Sequence, residues 1–142
     1  MLNVIKPDRS RPMLVAGLGC QRGCSAQGLL ELIEQTLHRN QLQLQDLSAL
    51  ASIDLKSDEP GLLELARQLG LPLTLFSTSQ LAPFEAQLTH RSVMAFQHTG
   101  CHGVAESAAL ALASDFGPAT LLIPRVNSQH ATFALASATL PG

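Results

Sequence analysis

The sequence predicts a single α/β domain with a mixed, mostly parallel sheet of about five strands covered by helices. Two patterns carry this prediction. Short apolar runs alternate with amphipathic helical segments through most of the chain, and the last two runs follow each other with no helix between them. Alternation favours parallel strands, whereas direct succession favours an antiparallel C-terminal pair. The 142 residues are the length of one domain. We expect a short leader over residues 1–11 and the α/β domain over residues 12–137.

The first strand is predicted at residues 13–16, where a short apolar run precedes glycine. A glycine-rich segment, the first loop, follows and leads to Ser25. The Ser25 side chain can accept an unpaired N–H of the next helix, so we predict that it caps that helix. The helix has one apolar face built on Leu29, Ile33 and Leu37.

The remaining elements follow from periodicity, capping residues and helix breakers. In chain order they are a strand at 50–55, a helix capped by Ser57 or Asp58 with Pro60 in its first turn and Gly70 at its end, a strand at 73–76, a helical turn at 79–81, a helix at 91–98, an alanine-rich helix at 104–113, a strand at 120–123 ended by Pro124, a connection at 125–130 and a last strand at 132–136.

The composition excludes several classes of function. The formal net charge is −2, and the chain has no Trp, no Tyr and no basic stripe, so we expect no nucleic acid partner. No apolar run approaches the roughly 18–20 residues that cross a bilayer, and the N-terminus lacks a secretory signal, so we expect a cytoplasmic protein without a membrane partner. An odd number of cysteines, Cys20, Cys24 and Cys101, in such a chain predicts free thiols.

The first loop is a candidate anion site. Gly17, Gly19 and Gly23 let a ligand approach the backbone, and the helix that begins at Ser25 offers unpaired N–H groups. Arg22 can add a bidentate donor for a carboxylate or phosphate. The glycine spacing matches neither the dinucleotide fingerprint nor the P-loop. The structural alternative is a tight strand-to-helix turn that requires glycine.

Cys20 and Cys24 also raise the question of a metal. Their three-residue gap is wider than the usual two, and no second pair lies nearby, although Cys101 and His102 could approach in space. We therefore predict no metal and no cofactor, with apolar packing as the ordinary role of these thiols. Cys24 remains a candidate catalytic nucleophile, because the start of a helix favours the thiolate.

A second polar group follows the second predicted strand. Ligands gather at the carboxyl ends of strands in α/β sheets, so Lys56 is a candidate contact for an acidic ligand and Glu59 a candidate acid or base. A helix start explains Asp58, because the dipole favours acidic residues there, but it does not explain Lys56.

The turn before the alanine-rich helix supplies a third group. Gly103 and Glu106 are candidate ligand contacts and His102 is a candidate catalytic residue, with structural roles at a helix start as the alternative. Strand carboxyl ends and helix N-terminal ends share one edge of a parallel sheet. We therefore predict that this turn, the first loop and Lys56 converge on one cleft, with Arg22 and Lys56 at its rim.

Five segments in this order resemble one known family, the CbiG C-terminal-domain family of cobalamin biosynthesis. They are residues 15–26, 52–62, 103–110, 121–125 and 131–136. The second segment is the most diagnostic of them.

The resemblance covers residues 12–136 and implies an α/β domain of the corrin-ring (vitamin B12) pathway. Larger members of the family open a lactone on a cobalt-containing corrinoid precursor. For this chain the resemblance implies an accessory protein that binds a polycarboxylate corrinoid, or tetrapyrrole, precursor. Such precursors carry carboxylates around an apolar ring, which N–H groups, cations and apolar side chains can hold. The alternatives are an enzyme that hydrolyses or rearranges a precorrin, and a scaffold that docks on another enzyme of the pathway.

Overall fold

A computed structural model describes residues 12–21, 23–56 and 59–139 of the chain. The predicted leader, Arg22 and the predicted caps Ser57 and Asp58 lie outside these residues. The strands are β1 (Met13–Cys20), β2 (Ala49–Ile53), β3 (Leu73–Phe76), β4 (Ala119–Asn127) and β5 (Ala131–Ala138). The helices are α1 (Ala26–Arg39), α2 (Pro60–Leu69), α3 (Thr78–Leu81), α4 (Val93–Thr99) and α5 (Val104–Ser114), with 3-10 turns at Leu44–Asp46, Asp54–Lys56 and Ala82–Gln87.

The five strands form one sheet in the order β3-β2-β1-β5-β4. The pairs β1–β2 and β2–β3 are parallel, whereas β5 is antiparallel to both of its neighbours, β1 and β4. Four strands therefore point in one direction and β5 in the other. This confirms the predicted α/β fold with a mixed sheet and an antiparallel C-terminal pair. No helix among the described residues has the length and apolar character needed to span a membrane.

Each face of the sheet has its own core. Ala16 and Leu18 of β1 pack in the core beneath α1 and α2, whereas Val15 packs in the core beneath α5. The apolar face predicted for α1 is confirmed, since Leu29 and Ile33 are fully buried. Burying one such side chain contributes roughly 1.5–3 kcal/mol, so this face fixes α1 on the sheet.

The close approach of α5 to the sheet requires a residue without a side chain at position 17. A Cβ atom on Gly17 would collide with the carbonyl oxygen of Ala105 and with Ala109. Backbone atoms cannot rotate away as a flexible side chain can. Gly17 therefore serves helix packing, and its burial keeps it from the open surface where the sequence placed a ligand contact.

Local signals at helix ends behave as predicted. The Ser25 Oγ accepts the N–H of Gly28 at 2.9 Å, Pro60 lies in the first turn of α2, and Gly70 ends that helix in the left-handed conformation with φ 65°. The residue before α2 is Glu59, whose side chain makes no capping bond.

The predicted end of a strand at Pro124 is wrong. Strand β4 continues through Pro124 to Asn127, with shifts in its register to β5 between Leu121 and Ile123 and between Ile123 and Val126. Proline lacks the N–H that a central strand needs, but an edge strand leaves one side unpaired. Because β4 lies at the edge of the sheet, Pro124 fits there without ending the strand.

Candidate functional site at the carboxyl edge of the sheet

The first loop is shorter than predicted, because β1 continues to Cys20, and it comprises residues 21–25. The N–H of Cys24 donates to the carbonyl of Gln21 at 2.9 Å, and the N–H of Gln21 donates to the carbonyl of His130 in the β4–β5 connection, also at 2.9 Å. Gly23 has φ 84°, a conformation that glycine adopts without strain. The loop is thus a tight turn tied to the β4–β5 hairpin.

The prediction of free thiols is wrong for Cys20 and Cys24, which form a disulfide with a Cα–Cα distance of 5.9 Å. That separation is ordinary for a disulfide. The turn returns the chain on itself, so two cysteines four positions apart meet. Cys101 is free and buried. Its Sγ lies 3.1 Å from Ser107 Oγ, so this thiol is a packing group of α5.

Glu59 joins the first loop to the start of α2. Its Oε1 accepts the N–H of Gly23 at 3.2 Å. A Cβ atom on Gly61 would collide with the carbonyl oxygen of Cys24, which shows how closely α2 abuts the loop. The sulfur atoms of Cys20 and Cys24 and a carboxylate oxygen of Glu59 all lie within 4.8 Å of one another. The structure therefore brings together two predicted catalytic candidates, Cys24 and Glu59.

Lys56 lies at the same sheet edge as the first loop. It ends the 3-10 turn Asp54–Lys56, which follows β2 directly, and β2 is parallel to β1. The carboxyl ends of these two neighbouring strands thus adjoin. Gly19 also lies here and is half-exposed, with Thr132 beside it.

A groove of about 510 Å³ runs from the first loop along α1, opposite the β4–β5 connection. Its polar lining includes Ser25, Arg39 and Asn127. First-turn N–H groups of a helix have no partner within the helix, and Ser25 Oγ takes the one of Gly28. Ser25 and Gly28 line the groove, so one end of it lies at the first turn of α1.

The start of α5 lies at the same sheet edge but beneath a cover. Gly103 is buried, and a Cβ atom there would meet the carbonyl oxygen of His90 at 3.2 Å and the side chain of Leu88 at 3.3 Å. The segment before α4 therefore covers this turn. The three segments of the predicted cleft share one edge of the sheet, but the structure does not bring Gly103 to an open surface beside the first loop.

Glu106 has a fully buried carboxylate surrounded by donors. Its Oε1 accepts the N–H groups of Thr89 at 2.8 Å and His90 at 3.4 Å, and its Oε2 accepts the N–H of Arg125 at 2.8 Å and the Thr89 hydroxyl. We call Thr89, His90, Glu106 and Arg125 the Glu106 cluster. It ties α5 to the covering segment and to β4, so this carboxylate is committed to internal donors.

The pKa of Glu106 reflects two opposing effects. Burial raises it, whereas the hydrogen bonds from Thr89, Arg125 and His90 lower it, and the net pKa lies below the ordinary value of 4.5. A carboxylate held by several N–H groups is stabilised in its ionised form. Glu106 is therefore a buried carboxylate whose ionised form is stabilised by these hydrogen bonds.

His102 is paired with an acid that the sequence did not indicate. Its Nδ1 lies 2.6 Å from Oε1 of Glu85, and its ring stacks on Phe96 with centroids 4.3 Å apart. The second oxygen of Glu85 is buried without a hydrogen-bond partner among the described residues. A carboxylate on one imidazole nitrogen orients the ring and leaves the other nitrogen for proton transfer.

Comparison with known proteins identifies the family of this chain. A family model described as "Cobalamin synthesis G C-terminus" matches residues 14–136, nearly all of the described chain. The chain belongs to the cobalamin synthesis G C-terminal family. It is accordingly a protein of cobalamin biosynthesis, as the resemblance of its five segments implied.

Individual members of the family align over most of this chain. CobE of Sinorhizobium sp is 38% identical over 123 residues, which are 87% of this chain and 79% of that protein. Cobalt-precorrin-5A hydrolase of Priestia megaterium is 36% identical over 127 residues, and the chain spans only 33% of that longer protein.

Solved structures of the family share the fold. The crystal structure of CobE, described as a protein from the cobalamin (vitamin B12) biosynthetic pathway, superimposes with a TM-score of 0.87 at 44% identity, covering 92% of this chain and 94% of CobE. The crystal structure of cobalamin biosynthesis protein chiG from Agrobacterium tumefaciens gives a TM-score of 0.67 at 30% identity. The match covers 89% of this chain and 99% of chiG.

In this member of the cobalamin synthesis G C-terminal family, sequence reasoning missed Thr89, His90 and Glu85. All three lie between α3 and α4, where no regular periodicity marks an element. The one available signal was Glu106 itself, an acidic residue in an otherwise small and apolar helix. A buried carboxylate there required donors from somewhere else in the chain.

Proposed function

We propose that this chain binds a polycarboxylate corrinoid precursor at the carboxyl edge of its sheet and serves cobalamin biosynthesis as a cytoplasmic accessory protein. One observation carries the proposal. The first loop and the turn that ends at Lys56 follow neighbouring parallel strands, so both segments lie at one edge of the sheet, where ligands gather in α/β proteins. The relative from Priestia megaterium is a cobalt-precorrin-5A hydrolase by name, which supports a ligand of the same class.

Exposed apolar side chains at this edge support contact with the apolar ring of such a ligand. Leu55 beside Lys56 is 57% exposed, and on α4 Val93 is 68% and Met94 is 65% exposed. α4 lies at the carboxyl edge, because the N–H of Ser92 donates to the carbonyl of His102 before α5. A macrocycle that rests on aliphatic groups and extends its carboxylates to N–H groups and cations would use both kinds of surface.

The test is titration of the purified chain with a metal-free late precorrin-type acid, followed by visible absorption and calorimetry. Lys56→Ala and Arg22→Ala should each weaken binding by about ten- to hundredfold, because each removes a charged hydrogen bond to a carboxylate. Arg67→Ala is the matched control, since it removes a positive charge that pairs with Glu64 on α2. An absent spectral change at high micromolar ligand, or an equal loss in all three variants, would contradict the proposal.

The Glu85–His102 pair supports a second candidate function, that of an enzyme that hydrolyses or rearranges a precorrin. Here His102 would act as a general base oriented by Glu85. Turnover of a precorrin by the isolated chain, lost in His102→Gln and kept in His38→Gln on the exposed end of α1, would establish this function. Glu59→Gln and Cys24→Ala test the other two candidates in the same assay. Docking on another enzyme of the pathway stays a third proposal, and co-purification with such an enzyme would test it.

A further inference from the structure

We infer that Cys20, Cys24 and Glu59, once the disulfide is reduced, form a three-ligand site for a divalent cation that accepts thiolates, of the Zn²⁺ class. Within the described residues this is the one group of three potential metal ligands. The inference is independent of corrinoid binding. It proposes an alternative to the prediction from sequence that no metal is bound.

The distances fit such an ion. The three ligand atoms lie within 4.8 Å of one another. Ligands around tetrahedral zinc, with bonds of about 2.0 Å to oxygen and about 2.3 Å to sulfur, lie roughly 3.5–3.8 Å apart. Once the disulfide is reduced, its two sulfurs are no longer bonded, and we expect rotation of the two cysteine side chains to bring them to this spacing.

The surroundings hold the ligands in place. Cys20 and Cys24 are only 5% and 6% exposed, so little water competes for the thiolates. Glu59 reaches them from a second element, α2, whose start abuts the carbonyl of Cys24 through Gly61. A carboxylate has two oxygens, so metal binding through one of them is compatible with the existing bond from Gly23.

The spacing of Cys20 and Cys24 argued against a metal site in the sequence, but the fold supplies the ligand that the sequence did not show. The Cys-x3-Cys spacing lacks a second cysteine pair, but the third ligand is a carboxylate from another part of the chain. Three protein ligands with a fourth position open to water or substrate are the usual arrangement of a catalytic zinc, whereas structural zinc has four. The site therefore leaves one coordination position open.

The oxidation state of the cysteines decides whether this site exists. In the structure they form a disulfide, which has no thiolate to bind a metal. Two equivalents of a low-molecular-weight thiol reduce it, giving two cysteine thiols and one disulfide of the reductant. Binding of the divalent cation then displaces two protons, one from each thiol.

The experiment titrates Co²⁺ into the full chain after reduction with a phosphine, which does not compete as a thiol ligand. We expect saturation at one equivalent, with a thiolate-to-cobalt charge-transfer band in the near ultraviolet and the intense d–d bands of a four-coordinate ion. Zn²⁺ should displace Co²⁺, because it binds such sites more tightly. Oxidation of the chain with diamide before the titration should abolish both signals.

The variants separate this site from adventitious binding. Cys20→Ser and Cys24→Ser should lose the charge-transfer band, whereas Cys101→Ser should keep it. Glu59→Gln should weaken binding roughly tenfold or more, and Glu59→Asp should restore part of the affinity because it keeps the carboxylate. Circular dichroism verifies that each variant is folded. No charge-transfer band in the reduced chain, or an unchanged band in Cys20→Ser, would overturn the inference, whatever the result of the corrinoid titration.

Discussion

The Glu106 cluster and the first loop lie at the same edge of the sheet, yet they treat polar groups in opposite ways. In the Glu106 cluster a fully buried carboxylate accepts four hydrogen bonds, three from backbone N–H groups. In the first loop a helix start and a glycine turn border an open groove, and one first-turn N–H is capped by Ser25. One region uses its polar atoms to hold the fold, and the other leaves polar atoms at an open groove, where we propose that a ligand binds.

This difference indicates which part of the sheet edge can bind a ligand. A buried charge that loses its partners is expensive, so groups such as Glu106 cannot exchange an internal donor for a ligand. Groups at an open helix start exchange water for a ligand at little cost. We therefore expect substitutions on the α5 side to lower stability and substitutions in the first loop to have smaller effects on stability.

The largest effect is expected from Glu106→Ala. It removes the buried carboxylate that accepts the N–H groups of Thr89 and Arg125, so the free energy of unfolding should fall by roughly 3–5 kcal/mol. Urea denaturation followed by circular dichroism measures it. Glu34→Ala on the exposed face of α1 is the control, with an expected change within about 0.5 kcal/mol. Equal stability of the two variants would remove the distinction between the regions.

Gly17→Ala tests the packing that supports the Glu106 cluster. Its Cβ would meet the backbone of Ala105, so α5 must move, and we expect a loss of about 1–3 kcal/mol in the same assay. Gly28→Ala in α1 is the control, because its Cβ would meet only the Ser25 hydroxyl at 3.1 Å. Similar losses in both variants would show that general helix effects, rather than close packing of α5, decide the outcome.

The pH dependence of stability sharpens the same contrast. Because the pKa of Glu106 is lowered in the folded chain, the unfolded chain binds its proton more readily. The stability that ionised Glu106 contributes is present above its ordinary pKa of 4.5 and is lost as the pH falls through the folded value, with a slope of up to about 1.4 kcal/mol per pH unit. Unfolding measured from pH 7 downward should show a shallower decline for Glu106→Gln, whereas Glu34→Gln should follow the unmodified chain.

The smallest effect is expected in the first loop. Ser25→Ala removes the bond to the N–H of Gly28 and should lower the free energy of unfolding by about 1 kcal/mol. Ser25→Asn should keep most of the stability, because its side chain also caps. A loss in Ser25→Ala as large as that in Glu106→Ala would mean that both regions hold the fold equally.

Local signals made much of the fold predictable. The apolar stripe of α1, its cap at Ser25, the end of α2 at Gly70 and the antiparallel C-terminal pair each depend on neighbouring residues or on simple alternation. The strand end predicted at Pro124 is wrong, because proline interrupts a central strand but is tolerated in an edge strand. The place of a strand in the sheet cannot be read from neighbouring residues.

The candidate site was less predictable for the same reason. The position of Lys56 beside the first loop follows from parallel neighbouring strands, which alternation indicates. The disulfide of Cys20 and Cys24 depends on the turn between them, and the donors to Glu106 come from Thr89 and Arg125, both remote in sequence. The contacts of Glu106 are set by packing, which no local pattern encodes, whereas the disulfide depends on a turn whose conformation the cysteine spacing alone does not specify.

The position of β1 in the sheet has a consequence for folding kinetics. β1 pairs on one side with β2 and on the other with β5, so Val15 has partners in Ala49 and in Ala136. Pairing between segments so distant in sequence closes a long loop and slows folding relative to helical domains of similar size. During synthesis the edge of β1 that pairs with β5 stays unpaired until β5 leaves the ribosome, and an unpaired strand edge of this kind is prone to aggregation.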